Sequence, residues 1–108
     1  MINAVFKKNN GNIVSVNLNG HAESTDEGYD LVCSAVSAVS LTIANGITEV
    51  VKVKPNLSLE DGFLSMDFRS LPEEDVLNCQ ILLKTLFIGL QSIEVSYGDY
   101  ISIKVEEV

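Results

Sequence analysis

Cysteine is scarce in this 108-residue chain: Cys33 and Cys79 stand alone, and no Cys-x-x-Cys pair exists. Zinc-ribbon and thioredoxin-type chemistry are thereby excluded. Histidine is scarcer still, with only His21. One imidazole and two distant thiols are too few for a metal centre, so neither metal nor cofactor is expected. Seven Lys and Arg face fifteen Asp and Glu, a formal charge of −8. That field repels a phosphate backbone, and no basic stripe offsets it, so direct nucleic-acid binding is disfavoured and a basic peptide or protein partner is favoured. Long apolar runs are also missing. The stretch from Leu31 to Ile47 is broken by Ser34, Ser37, Ser40, Thr42, Asn45 and Gly46, short of the roughly 20 apolar residues that a membrane span needs. It reads as a buried helix, and no membrane association is expected. The opening residues, Met1 to Lys8, do not have the basic-then-apolar order of a secretory signal. The expected compartment is the cytoplasm, where both thiols stay reduced. Repeats, linkers and low-complexity tracts are absent, and the length suits a single domain over residues 1–108.

What is present alternates between two periodicities. Residues 2–8 and 12–20 predict a β-hairpin: Val14, Val16 and Leu18 alternate with Ser15, Asn17 and Asn19, and Asn9-Asn10-Gly11-Asn12 supplies the turn. Residues 22–29 are polar and aperiodic and predict a loop, read as a lid over a bound peptide. Asp30 is placed as N-cap of a helix whose apolar face is Val32, Val36, Val39, Ile43 and Ile47, with small residues on the other sides. Val50 to Lys54 and Phe63 to Phe68 predict strands. Ser70-Leu71-Pro72-Glu73 matches a capping box, opening a helix to about Ser92 with Val76, Cys79, Leu83, Leu86 and Leu90 on one face. Tyr100 to Val105 predicts the last strand, with a further short one near Ile93 to Ser96. The expectation is an α+β, two-layer sandwich of order ββαββαβ, with a mostly antiparallel sheet and both helices on one face.

Chemistry concentrates between Gly20 and Ser37. The reading above puts Cys33 in the first turn of a helix, near free amides that carry about half an elementary charge. Such a field favours a thiolate. His21 lies at the mouth of a strand, twelve residues earlier, so a chain reversal would bring imidazole and sulfur together. A cysteine peptidase needs these parts, with first-turn amides, including that of Cys33, to hold the oxyanion. The plainer readings are that Cys33 is a small core residue, that His21 is incidental, and that Asp30 is a cap. The Asp30 charge would oppose a thiolate unless it pairs with His21. Cys79, on the apolar face of the second helix, is structural.

Gly20-His21-Ala22, a short polar loop, and Gly28-Tyr29-Asp30-Leu31-Val32-Cys33-Ser34-Ala35-Val36-Ser37 together resemble the signature of the ribosomal-processing cysteine protease family Prp of Firmicutes. The family pattern is close to G-H-A, loop, G-x-D-I/L-V-C-A-A-V-S, from which this chain departs chiefly at Ser34. The resemblance implies a compact homodimeric α/β fold with His21 and Cys33 as the catalytic dyad. It also implies supporting positions at Asp30 and Ser37 and loop hinges at Gly20 and Gly28. The implied substrate is the N-terminal extension of a large-subunit ribosomal protein, cut after a short hydrophobic stretch ending in an aromatic residue. Two other readings are a non-enzymatic ribosome-assembly or binding module and a thiol redox sensor built on the same cysteine.

Overall fold

The computed structural model describes residues 1–20, 27–60 and 62–108. In chain order its elements are β1 (Ile2–Asn9), β2 (Asn12–Asn19), α1 (Glu27–Asn45), β3 (Asn56–Glu60), β4 (Phe63–Asp67), α2 (Glu73–Asn78), α3 (Gln80–Tyr97) and β5 (Ile101–Glu107). The strands form one sheet in the order β3-β4-β2-β1-β5. All pairs are antiparallel except β1 with β5, which is parallel. The expected two-layer α+β fold is therefore present, with three helices where two were expected.

The hairpin forms because Asn10 and Gly11 both take positive φ, 52° and 80°, as a tight turn matching the sheet's twist requires. Along β1, Ile2, Ala4 and Phe6 are buried between their neighbours on β2 and β5. Phe6 meets Phe87 of α3 edge to face at 5.0 Å between ring centres. Val16 and Leu18 of β2 and Met66 and Leu64 of β4 continue this core. The helices pack against each other through small residues: an added Cβ on Gly46 would come within 3.2 Å of Leu82 on α3.

Several expectations are corrected. The helix does not start at Asp30; it is already formed at Glu27, so Asp30 is an exposed residue inside α1 and not its N-cap. The loop expected over residues 22–29 falls largely outside the described residues, and its last three positions are helical. Val50 to Lys54 is not a strand. Gly46–Val51 prolongs α1 as a wider π turn, and Lys52 ends it with a left-handed φ of 63°. The β-branched run suggests extension, but packing overrides propensity: Ile47 and Val53 are drawn into the core and joined by the Val53 N–H donating to the Ile47 carbonyl at 3.0 Å. The third strand is instead Asn56–Glu60, just after Pro55. The capping box does not form, because Pro72 holds the N-cap position without a side-chain bond, though Glu73, Glu74 and Asp75 do fill the first turn. The short strand near Ile93 to Ser96 belongs to α3. By length and composition, the helical run Gly28–Val51 would suffice to cross a membrane. Here its apolar face, Val32, Val36, Ile43 and Ile47, lies in the domain's core.

The break at Cys79 between α2 and α3 has a cause on the sheet. The pairing of β1 and β2 shifts at Lys7 and Lys8, leaving Ile13 with buried backbone groups. Gln80, itself buried, takes both: the Ile13 N–H donates to Gln80 Oε1 at 2.7 Å, and Gln80 Nε2 donates to the Ile13 carbonyl at 2.8 Å. The same Nε2 also donates to the Val76 carbonyl at 2.9 Å. Gln80→Leu keeps the volume but strands an amide and a carbonyl, each costing about 1–3 kcal/mol when buried unpaired. Urea titration should show stability lower by about 2–4 kcal/mol; a change within experimental error would refute this role.

Candidate active site

The sheet is wider than its helical layer. Leu57 and Leu59 pair beside Met66 and Leu64 of β4, yet both remain exposed. Between this open margin and α1 lies a cavity of about 100 Å³. Its α1 wall is Cys33, Val36, Ser37 and Ser40, residues at helical spacing whose small size leaves the space unfilled. Leu18 of β2, Leu59 of β3, and Phe63 and Leu64 of β4 supply an apolar opposite wall. Both cysteines are free: Cys33 is half-buried at the cavity, whereas Cys79 is fully buried. Burial, and then the nearby Asp75 charge, push the Cys79 thiol above its ordinary range. Cys79 is therefore a core residue.

The mouth of the cavity depends on two glycines. β2 ends at Gly20, whose N–H donates to the Gly62 carbonyl at 2.9 Å. A Cβ on Gly62 would lie 2.5 Å from the Gly20 carbonyl oxygen, and the φ of Gly62 is +76°. Only glycine fits there. Gly20 needs to be small for another reason, close approach: its Cβ would sit 2.9 Å from Ile2 Cγ1 and 3.3 Å from the Tyr29 hydroxyl. Gly20 is thus a crossing point of strands and helix, and it lines the cavity.

Of the residues singled out from the sequence, Gly20, Cys33 and Ser37 come together here. His21 follows Gly20 directly but lies outside the described residues. Asp30 and Gly28 do not line the cavity; both sit in the first turn of α1, Asp30 exposed. The expected electrostatics also change. Cys33 is six residues into α1, about 9 Å along the axis, beyond the first turn where the helix-start field acts. Its amide lies where the helical pattern directs it to the Tyr29 carbonyl, so it is not a free oxyanion donor.

Sequence reasoning missed Tyr29, Ser40, Leu59, Phe63 and the role of Gly62. The run of small residues along α1 was the available signal. Among the described residues, two buried side-chain oxygens have no hydrogen-bond partner, Tyr29 Oη and Ser40 Oγ. Ser40 lines the cavity, and Tyr29 lies behind Gly20 at its edge. Buried orphan groups are rare and costly, and of the two it is Tyr29 that interacts with Cys33.

A free, half-buried thiol thus stands at the rim of an apolar cavity, where a bound group could reach it. Comparison with known proteins makes the class definite. The model of the family described as "Cysteine protease Prp" matches residues 1–102. The ribosomal processing cysteine protease Prp of Staphylococcus aureus is 30% identical over 91 residues, 84% of this chain and 85% of the relative. That of Bacillus subtilis is 30% identical over 103 residues, 92% of each. The crystal structure of the S. aureus protease with a substrate peptide superposes with a TM-score of 0.86, at 26% identity, over 98% of this chain and all of that one. The same enzyme with a covalently linked product peptide gives 0.82, at 27% identity and the same coverage. This chain is a cysteine protease. It belongs to the Prp family, which sets aside the non-enzymatic and redox-sensor readings.

The difference between the two thiols is directly measurable. Brief treatment of the folded protein with iodoacetamide, followed by peptide mapping, should modify Cys33 and leave Cys79 untouched until denaturant is added. Equal labelling of both in the folded state would contradict the site as described.

Proposed function

We propose that this protein is the endopeptidase that removes the short N-terminal extension of a large-subunit ribosomal protein during ribosome assembly, working through His21 and Cys33. The observation that carries the reading is the half-buried Cys33 thiol at the edge of an apolar cavity. Support comes from relatives that are named ribosomal processing proteases. The cavity suits the aromatic side chain that precedes the scissile bond, with Leu18, Leu59, Phe63 and Leu64 to receive it. That placement sets the substrate carbonyl beside the sulfur. A formal charge of −8 favours the basic body of a ribosomal protein over free RNA, and the cytoplasm is where such a substrate is made.

The sequence of steps follows from the residue types. His21 takes the proton of Cys33, and the thiolate adds to the carbonyl carbon after the aromatic residue. His21 then protonates the departing amine as the C–N bond breaks, leaving a thioester on Cys33. Water, deprotonated by His21, releases the N-terminal product and restores the thiol. Asp30 and Ser37 act in support of the dyad: Ser37 lines the cavity one turn beyond Cys33, and Asp30 carries its charge at the start of α1. The oxyanion is held by donors other than the Cys33 amide.

The working unit is a homodimer. Ile81, Ile88 and Val95 repeat every seven residues along α3 and are 81%, 62% and 87% exposed, a stripe that a second copy would cover.

With a peptide spanning the ribosomal protein's extension, mass spectrometry should show a single cut after the aromatic residue. Cys33→Ala should slow cleavage at least about a thousandfold with an unchanged melting temperature; cleavage at the normal rate ends the proposal. Ile88→Glu should convert a dimer to a monomer in sedimentation, and an unchanged mass would remove α3 from the interface.

A further inference from the structure

One hydroxyl at the site has no part in the steps above. Tyr29 stands four residues before Cys33, hence on the same face of α1. It is 4% exposed, and its Oη has no hydrogen-bond partner among the described residues. That oxygen lies 3.3 Å from where a Cβ on Gly20 would be. It therefore lies against Gly20, the residue that lines the cavity together with Cys33. Its polar neighbour is the Cys33 sulfur, which it approaches without closing a hydrogen bond of good geometry. Burial first, then the interaction with the nearby Cys33 side chain, and last the charge of Asp30, push the Tyr29 phenol above its ordinary range. It stays a protonated donor.

The charges around the sulfur make a neutral donor valuable. Glu60 on β3 lines the cavity, the Asp30 charge on α1 is felt at Tyr29, and no Lys or Arg lines the cavity among the described residues. The start of α1 is too distant to compensate. A neutral thiol accepts hydrogen bonds weakly, which leaves the Tyr29 hydroxyl unpaired; a thiolate accepts strongly. We propose that Tyr29 is a positioning residue for the nucleophile, its Oη–H donating to the Cys33 sulfur once that sulfur is ionised and holding it toward the cavity. No proton crosses this contact: Tyr29 keeps its own, and that of Cys33 goes to His21. The inference rests on Cys33 being the nucleophile of the reading above, and it gives the orphan hydroxyl a partner in the working state.

The test is Tyr29→Phe, which removes one oxygen and keeps the ring. Alkylation of Cys33 by iodoacetamide is followed by peptide mapping across pH, with the melting temperature measured alongside. The midpoint of the profile should move up by about one pH unit, a roughly tenfold slower reaction at neutral pH, while the melting temperature holds or rises. A purely structural tyrosine would leave the profile in place, and superimposable profiles overturn the proposal. Should Tyr29→Phe melt lower, Tyr29→Leu separates packing from donation. Equal upward shifts in both variants, despite different stabilities, support the hydroxyl; shifts that track stability overturn it. Alkylation needs no substrate, so the two readings fail separately. An unmoved profile in a protein that cleaves the peptide removes only the role of Tyr29. A moved profile in one that cleaves nothing supports the contact and removes the peptidase reading.

Discussion

The geometry of the site hangs on the crossing of Gly20 and Gly62. The end of β2, the turn into β4, the N-terminal strand at Ile2 and the first turns of α1 at Tyr29 all meet around Gly20 with no room for a side chain. Backbone contact of this closeness settles where β2 ends and where the β3–β4 margin stands relative to α1. A methyl group on either glycine would push the margin away from the helix and spread the cavity walls. The apolar recess beside Cys33 exists because two chain segments approach as closely as backbones can.

A second constraint lies at the other end of β2. The irregular pairing of β1 and β2 leaves Ile13 short of partners, and Gln80 supplies them from the helical layer. The break at Cys79 lets α3 start at the residue that makes this grip. β2 is thus tied at one end by Gln80 and at the other by Gly62, and the strand that leads to Gly20 at the cavity has little freedom to slide. Stability and the shape of the cavity share one strand.

Where one interaction decided the local structure, the amino-acid pattern revealed it. The β1–β2 hairpin follows from alternation and an Asn-Gly turn, and the family was legible in the joint spacing of Gly20-His21-Ala22 and Cys33. Where distant segments decided it, the pattern misled. Val50 to Lys54 has the residues of a strand, but Ile47 and Val53 are needed in the core and bend it into a π turn. Asp30 has the chemistry of a cap, yet Glu27-Gly28-Tyr29 continues the helix ahead of it, moving Cys33 into the second turn. No proline or glycine marks the break at Cys79, since its cause is Ile13, far away in the sequence. The cavity was illegible for the same reason: its walls come from α1 and three strands, and only the small residues Cys33, Ser37 and Ser40 hinted at space beside the helix.

Membership of the Prp family makes this a cysteine protease, and the structure gives one thiol the exposure and surroundings for that work. The central claim is that the Cys33 sulfur bonds covalently to the substrate. Intact-mass spectrometry of the protein quenched in acid during turnover of the extension peptide tests it directly. The account predicts an adduct equal to the N-terminal product less water, located on Cys33 after digestion. Cleavage that proceeds with no adduct on Cys33 under conditions that slow deacylation, or with an adduct on Cys79, would contradict it.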